Sequence, residues 1–543
     1  MQKILSLLLI ILFNTSLLYS QAKNDYTWIL GYPTSIPEMP NTEDFGGMFM
    51  KFTDKGYAVE KFDIFGGPIS AVANDDTGNL LFYTNGCSIY SKEHKVMENG
   101  DEINLGASNY DYECDESFGI FYIRSGNMTL PMPGHSDRHF LLHLRLIETS
   151  DTNPYDLLND RLLFSEVDVT ANDGLGKVIQ KNQTVVADSL HDAISAVRHG
   201  NGRDWWVVMP RGRNRAFWKI LLTPEGFQGP VLQTFPPPYF PYTVKYIVPT
   251  DTPPLYEEEV IPDEYGHECW AGQAIFSPDG SKYCRVIKAG EVEVYDFDRC
   301  SGELTLRRVF SLPPYQEYPE FPVQACGLAI SPNNRYLYFN NNEALYQFDL
   351  FEENLESGPY ELIEEWDRYL EEGSFASNFF QMRNAPDGKI YMNGTNGNKS
   401  LHVIHEPNKQ GKACQFEQRG ADLPRWAYFV INYFPNFRLY DLADSPCDTL
   451  GIDDPNSSPL FTFEEFKVFP NPANKEVILY VPQCEGIRVQ IWNIAGQLVL
   501  DIPFIAGMEA YRLDVSDWSS GAYIIAAYID AREPIIQKLI VVH

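Results

Sequence analysis

From about residue 70 onward the chain alternates short runs of apolar and aromatic residues with turn formers, and nowhere sustains a long apolar period of 3.6. EVEVYDFD shows the pattern: Val292, Val294, Tyr295 and Phe297 are apolar between acidic neighbours. Approximate alternation of this kind predicts strands buried on one face or on both. The same turn recurs before many of these strands, in NDDTGNLLFYTNG from Asn74, HGNGRDWWVVM from His199, SPDGSKYCRVI from Ser277, SPNNRYLYFNN from Ser331 and APDGKIYMNG from Ala385, with a fainter copy, PGHSDRHFLLHLR, from Pro133. Gly280, Asn334 and Gly388 fall at equivalent places, 54 residues apart at each step. A period near 50 made only of strands and turns is the signature of propeller blades. Residues 23–440 are therefore expected to form a β-propeller of about seven blades, with six to eight open, in an all-β chain.

A second strand pattern begins at VFPNPANKEVILYV, residues 468–481. Pro470 and Pro472 fix φ and remove two backbone donors, so no ladder continues backwards through them. Before them, residues 441–461 hold five Asp and three Pro with little to bury, which reads as an acidic linker. After them come EVILYV, VQIWNIAGQLVLD with a turn at Gly496, YRLDVSDWSSGAYIIAAYI with a turn at Gly521, and QKLIVVH at the end. The pattern predicts a small antiparallel β-sandwich over residues 462–543, with Val468 and Phe469 opening its first core strand.

Charge and the N-terminus set the compartment. The 543 residues carry 74 acidic and 42 basic side chains, a net charge of -32. A field of that sign repels phosphate backbones, so no nucleic-acid partner is expected. One basic residue, Lys3, precedes an apolar run from Ile4 to Phe13 and small residues near Ser20 and Ala22, the pattern of a secretory signal over residues 1–22. Export makes disulfides plausible among the nine cysteines, with Cys269 and Cys284, on either side of one turn, as the expected pair. None forms a CxxC pair or joins a His at zinc spacing, so no metal site is expected.

Two resemblances follow. The series NGCSIYSKEHKVMENG, LPMPGHSDRHFLLHLR, NDGLGKVIQKN, HDAISAVRHGNGRDWWVV, FSPDGSKY, FDRCSGEL, APDGKIYMNG and EPNKQGKACQFEQRGADLP, spread over about residues 70–440, resembles the propeller region of large cell-surface proteins of Bacteroidota. That resemblance implies a surface-exposed propeller and no defined catalytic activity. At the other end VFPNPA, IWNIAGQLV, LDVSDWSSGAYII and the terminal KLIVV resemble the type A C-terminal sorting domain of the type IX secretion system. The positions that carry this likeness are Pro470, Asn471, Pro472, Gly496, Gly521 and Lys538. It implies an export address recognised by the type IX machinery, passage through the periplasm and across the outer membrane, and removal of the domain by a sortase that leaves the product on the surface or released.

Candidate chemistry is sparse. No Gly-x-Ser-x-Gly elbow occurs, and HECWA at His267 and HEPNK at His405 lack the second histidine of a zinc signature. GTNGNKS at Gly394 has the wrong spacing for a phosphate loop and reads as a polar hairpin turn. His191, Asp192 and His199 flank an ISAV strand, where a relay is conceivable but a lock between blades fits better. His402 and His405 have odd separation and face opposite sides. Asp75 in DDTGN and Asp387 in APDGK sit on tight loops without the graded oxygen spacing of an EF-hand, so no cofactor is expected, with calcium left open. Residues 253–268 and 351–373 are acidic insertions, the second expected to hold a short amphipathic helix on Leu362, Trp366 and Leu370. In PRGRNRAFW, Arg211, Arg213 and Arg215 beside Phe217 and Trp218 offer an exposed hairpin that could hold an anionic sugar. The reading that emerges is an exported binding or adhesion module for extracellular polysaccharide or a surface protein. An extracellular hydrolase or lyase with carboxylates at the propeller mouth is the alternative, and catalytic and ligand-binding residues stay unassigned.

Overall fold

The computed structural model describes residues 22–32, 42–53, 56–62, 71–107, 114, 126–148, 157–212, 215–236, 243–247, 256–260, 272–287, 291–312, 327–351, 360–371, 375–395, 397–428, 431–442, 445–447, 467–469, 471–480, 487–502, 510–529 and 535–542. The signal segment up to residue 21, Cys269, Arg213, Pro470, residues 443–444 and 448–461 of the expected linker and the first five residues of the expected sandwich, 462–466, lie outside them. The chain divides into two compact units, Met1–Asp453 and Asp454–His543.

In the first unit every blade is an antiparallel meander. Blade 1 comprises Thr27–Tyr32, Gly46–Thr53 and Gly56–Phe62, and blade 2 Ala71–Asn74, Leu80–Thr84 and Ile89–Ser91. Four strands each make blade 3 (Asn127–Pro131, Arg138–Glu148, Leu157–Asp168, Lys177–Leu190) and blade 4 (Ser195–Arg198, Trp205–Pro210, Ala216–Thr223, Gly226–Thr234). Blade 5 is Ala274–Phe276, Lys282–Ile287, Glu291–Phe297 and Leu304–Ser311; blade 6 is Leu328–Ile330, Tyr336–Asn340, Ala344–Asp349 and Tyr360–Glu365. Met382–Asn384, Ile390–Met392, Asn398–Ile404 and Phe416–Ala427 form blade 7.

The cores lie between blades rather than within them. One apolar cluster joins blades 1 and 2, the next five join successive blades from 2 to 7, and another carries Trp28, Met48 and Phe52 of blade 1 onto Tyr391, Leu401 and Leu423 of blade 7. That last contact closes the ring, and the fold is a seven-bladed β-propeller. Burial grades outward as this geometry demands: Tyr336–Asn340 is buried at every residue, whereas the outermost Leu304–Ser311 alternates between covered and exposed positions.

The recurrent turn sits where the first strand of a blade passes to the second. Gly280, Asn334 and Gly388 all have positive φ, and each N–H closes its turn on the carbonyl three residues back. Only glycine or asparagine enters that region at low cost, which is why the position reads as Gly or Asn in sequence. Asp75 Oδ1 accepts from the N–H groups of Thr77 and Asn79, both at 2.9 Å, and so closes its own loop.

Three expectations are corrected. Leu362, Trp366 and Leu370 do not share a helix: Tyr360–Glu365 is the outer strand of blade 6, Ile363 points inward and Leu362 outward. A helix there would leave the outer edge of Ala344–Asp349 without its ladder. Cys284 forms no disulfide; it is fully buried against Ile275, and burial pushes its thiol up to about 12. Among the described residues the bridges are instead Cys87–Cys114 and Cys300–Cys447. Finally, the start of the expected linker is attached to the propeller: Leu442 N donates to Gly200 O at 2.7 Å, and Cys447 is bonded to Cys300 in the outer hairpin of blade 5.

The second unit packs a three-stranded sheet (Lys467–Phe469, Glu476–Tyr480, Ala510–Asp514) and a four-stranded one (Leu498–Ile502, Ile487–Asn493, Gly521–Ile529, Ile535–Val541) around one core containing Val468, Val477, Ile491, Ile525 and Leu539. This is a small β-sandwich.

The Cys300–Cys447 bridge closes 147 residues of sequence separation, so breaking it relaxes a long loop in the unfolded chain. Cys447→Ser is expected to lower stability by about 2–4 kcal/mol. Denaturant titration checks the value, and peptide mapping without reductant should join the Cys300 and Cys447 peptides while Cys284 stays unmodified until the fold opens.

Candidate functional site

In a propeller the axis is the first place to look for a site, because all the innermost strands converge there. Here the chain itself occupies it. After the last strand of blade 7, Tyr428 N donates to Gly31 O at 2.8 Å and Ile29 N to Asn432 Oδ1 at 2.6 Å, so Tyr428 and Asn432 both lie beside the Thr27–Tyr32 strand. Tyr433 then packs against the cores of blades 3–4 and 5–6, and the Arg383 guanidinium of blade 7 lies 4.6 Å from its ring. Phe434 touches the cores of blades 3–4, 7–1 and 1–2. Side chains that reach opposite sides of a ring stand on its axis.

Beyond the axis the segment is gripped by arginines. Arg438 pairs with Asp25 of blade 1, with Nη1 3.0 Å from Oδ2. Arg198 donates to Phe437 O, and Arg299 to Tyr440 O while its Nε donates to Arg198 O at 2.8 Å. Burial brings the Arg198 and Arg299 guanidinium groups down to about 10, and for Arg198 the nearby Arg299 adds to the effect. Gly200 and Gly202 leave room for the returning chain. A Cβ on Gly200 would collide with Cys447 Sγ, and one on Gly202 would lie 2.6 Å from Asp441 N.

The residues singled out from sequence occupy other places. His191 and His199 stand at opposite ends of the Ser195–Arg198 strand. His191 Nδ1 is 3.1 Å from Asp192 Oδ1, both nearly buried. His199 Nδ1 accepts from Asn201 N at 3.0 Å, so Nε2 carries the proton and donates to Cys300 O at 3.0 Å, tying blade 4 to blade 5. His402 is buried, within 3.3 Å of Asn378 O, whereas His405 is partly exposed and 2.8 Å from Glu417. Among the described residues no group of three or more His, Cys, Asp or Glu is arranged to hold a metal ion.

The arginine hairpin is not a free cationic face. Arg211 pairs with Asp188 at 2.8 Å. Arg215 turns inward, with Nε 2.7 Å from Glu293 Oε1, while Arg285 and Tyr295 bond the other oxygen. Burial alone would raise the Glu293 carboxyl, but the Arg285 and Arg215 guanidinium groups and these hydrogen bonds outweigh it and hold the group below the usual carboxylate range. Of the hairpin's two described arginines, Arg215 is thus paired in the core between blades 4 and 5 and Arg211 with the last strand of blade 3.

The structure does show a recessed surface that sequence reasoning missed. A cleft of about 440 Å³ lies between the outer strands of blades 3 and 4, lined by Phe140, Phe164 and Phe227 together with Glu166, Gln180 and Glu225. Ring centroids are 5.0–5.3 Å apart among the three phenylalanines. Phe227, directly after the turn Glu225–Gly226 on an outermost strand, was the available signal: an aromatic where alternation calls for a solvated face.

In the second unit the residues of the PNPA stretch are stitched to the terminal strand. Asn471 Nδ2 donates to Lys538 O at 2.6 Å and its Oδ1 accepts from Ile540 N at 2.8 Å; Ala473 N and O bond Ile540 and Val542, each at 2.8 Å. Gly496 has positive φ in the turn between Ile487–Asn493 and Leu498–Ile502, and Gly521 opens the strand that pairs with Val541. Residues 467–542 match the secretion system C-terminal sorting domain. The chain is therefore a type IX-secreted β-propeller protein, and its sorting domain implies interaction with the type IX machinery and attachment to the cell surface or release.

The solved structures similar to it include a putative 6-phosphogluconolactonase from Bacteroides uniformis (10% identity, TM-score 0.39, 75% of this chain and 99% of that one) and the periplasmic gluconolactonase of Pseudomonas aeruginosa (14%, 0.42, 75% and 98%). A β-propeller domain from Myceliophteria thermophila is similar at 12% identity and TM-score 0.32, over 65% of this chain and 88% of that one. At such values the likeness says nothing of shared chemistry. No curated protein matches.

Three buried histidines give the propeller a predictable acid response. Burial drives His143 down to about 3 and His139 and His402 to about 4. Their folded values lie below the unfolded value of about 6.5, so the unfolded chain binds more protons at intermediate pH. Their contribution is complete above about pH 6.5 and is lost as pH falls towards 4, on the order of 2 kcal/mol per histidine by pH 5. Calorimetric melting from pH 7.5 to 4.5 should show this decline, and His402→Gln should make it shallower.

Proposed function

We propose that the exported propeller is a binding or adhesion module for extracellular polysaccharide or another surface protein, with the sorting domain as its export address. The observation that carries the reading is the occupied axis. Tyr433 and Phe434 stand where a propeller would place an axial pocket, so recognition falls to the outer surface and to the clefts between blades. Aromatic side chains at one such cleft supply the contact area that recognition by a rigid scaffold uses. The buried histidines and Glu293 belong to the packing of neighbouring blades rather than to a reacting pair.

The test uses the purified protein with its sorting domain, incubated with immobilised extracellular polysaccharides with and without a calcium chelator. Retained protein and newly released reducing ends are both recorded. Retention without new ends is the expected outcome, and insensitivity to the chelator would exclude a calcium requirement. New ends that persist through repeated purification would overturn the reading in favour of a hydrolase or lyase.

A further inference from the structure

We propose that the cleft between the outer strands of blades 3 and 4 binds one or two pyranose units of a neutral extracellular polysaccharide, an assignment that rests on the binding reading above. The cleft's volume, about 440 Å³, lies in the range of small-molecule sites, roughly 300–1,000 Å³. Its floor is Phe140, almost wholly buried, and its walls are Phe164 and Phe227, both partly exposed. Phe140 and Phe164 meet edge to face at 88°, and Phe227 is tilted against both, which fixes three rings as one apolar surface.

The polar lining complements it. Glu166 is held by Arg138, with Nη1 3.0 Å from Oε1, and so keeps one orientation beside the rings. Glu225 is fixed at the turn by Thr223, whose hydroxyl is 2.9 Å from Oε2. Gln180 and Thr184, on the last strand of blade 3, are exposed at the mouth. A pyranose ring matches this chemistry: its C–H face packs on aromatic carbon, and its hydroxyl groups donate to carboxylate and amide oxygens in charge-assisted bonds.

Charge selects among sugars. Two glutamates line the cleft, the nearby arginines Arg138 and Arg203 are already paired, with Glu166 and Asp204, and the whole chain carries -32. A uronate or sulfated unit would meet repulsion there, while a neutral hexose meets acceptors. The arginine hairpin does not compensate, because Arg211 and Arg215 are bound to Asp188 and Glu293.

The experiment titrates the full-length protein calorimetrically with cellohexaose, maltohexaose, laminarihexaose and mannohexaose. Phe227→Ala removes a wall, Thr184→Arg fills the mouth from an exposed strand position, and Phe351→Ala, an exposed ring on blade 6, is the control. At least one neutral hexasaccharide is expected to bind, with affinity reduced tenfold or more by Phe227→Ala and by Thr184→Arg and unchanged by Phe351→Ala. Thr184→Arg should melt with the parent protein, so it decides the matter should Phe227→Ala fail to fold. Neutral-sugar binding that neither variant weakens would overturn the cleft assignment and leave the binding reading standing. Retention only on polyanions or on a surface protein would do the same, whereas retention on nothing would overturn both.

Discussion

A ring of sheets made from one chain must join its last part to its first, and the rest of this propeller depends on how residues 428–447 do so. Each blade buries its faces only against its neighbours, so an open ring would expose two apolar sheets, here the faces carrying Trp28, Met50, Tyr391 and Leu423. The closing segment holds those faces together from three sides. It bonds to Gly31 and Ile29 of blade 1, places Tyr433 and Phe434 among the inner strands, and passes out over blades 4 and 5 to the Cys300–Cys447 bridge. Closure of this kind removes the open sheet edges that would otherwise template aggregation.

Polar groups do much of the joining between blades. Arg198, Arg299 and Arg425 direct guanidinium groups to backbone carbonyls of the closing segment or of blade 1. These bonds satisfy carbonyls that irregular chain cannot pair in a ladder, which is where an Arg fork with several donors is suited. Between blades 4 and 5 the same residue type meets a carboxylate: Glu293 is fully buried between Arg215 and Arg285. Losing the carboxylate would leave two buried guanidinium groups without their shared partner, so this triad specifies how the two blades dock more than it adds net stability.

What the sequence disclosed follows the range of the forces involved. The blade turn was legible because positive φ at Gly280, Asn334 and Gly388 is a local demand that restricts residue type, and the strand behind it is a local alternation. The sorting domain was legible because PNPA and KLIVV, far apart in sequence, are each confined by the bonds of Asn471 to the terminal strand. The disulfides were not, since Cys87–Cys114 and Cys300–Cys447 depend on which loops the ring brings together. Leu362, Trp366 and Leu370 mimic helical spacing because an outer strand and the turn after it happen to place apolar residues four apart, and the empty edge of blade 6 overrides that propensity. The closing segment INYFPNFRLY carries no alternation at all, and its partners lie on the far side of the ring. The cleft escaped for the same reason: Phe140, Phe164 and Phe227 lie on separate strands, Phe227 alone stands out against the alternation, and only the docking of blades 3 and 4 joins the three.

The closing segment also belongs wholly to the first of the two units. All the contacts that close the ring lie before Asp454: the axial aromatics end at Phe434, the arginine grip at Tyr440 and the covalent clasp at Cys447. The sorting domain has its own core and its own internal stitching between Asn471 and the terminal strand. Each unit's apolar cluster is built from its own residues. The Cys300–Cys447 disulfide, on the propeller side of the boundary, ties the final residues of the ring to blade 5 and so keeps them from fraying.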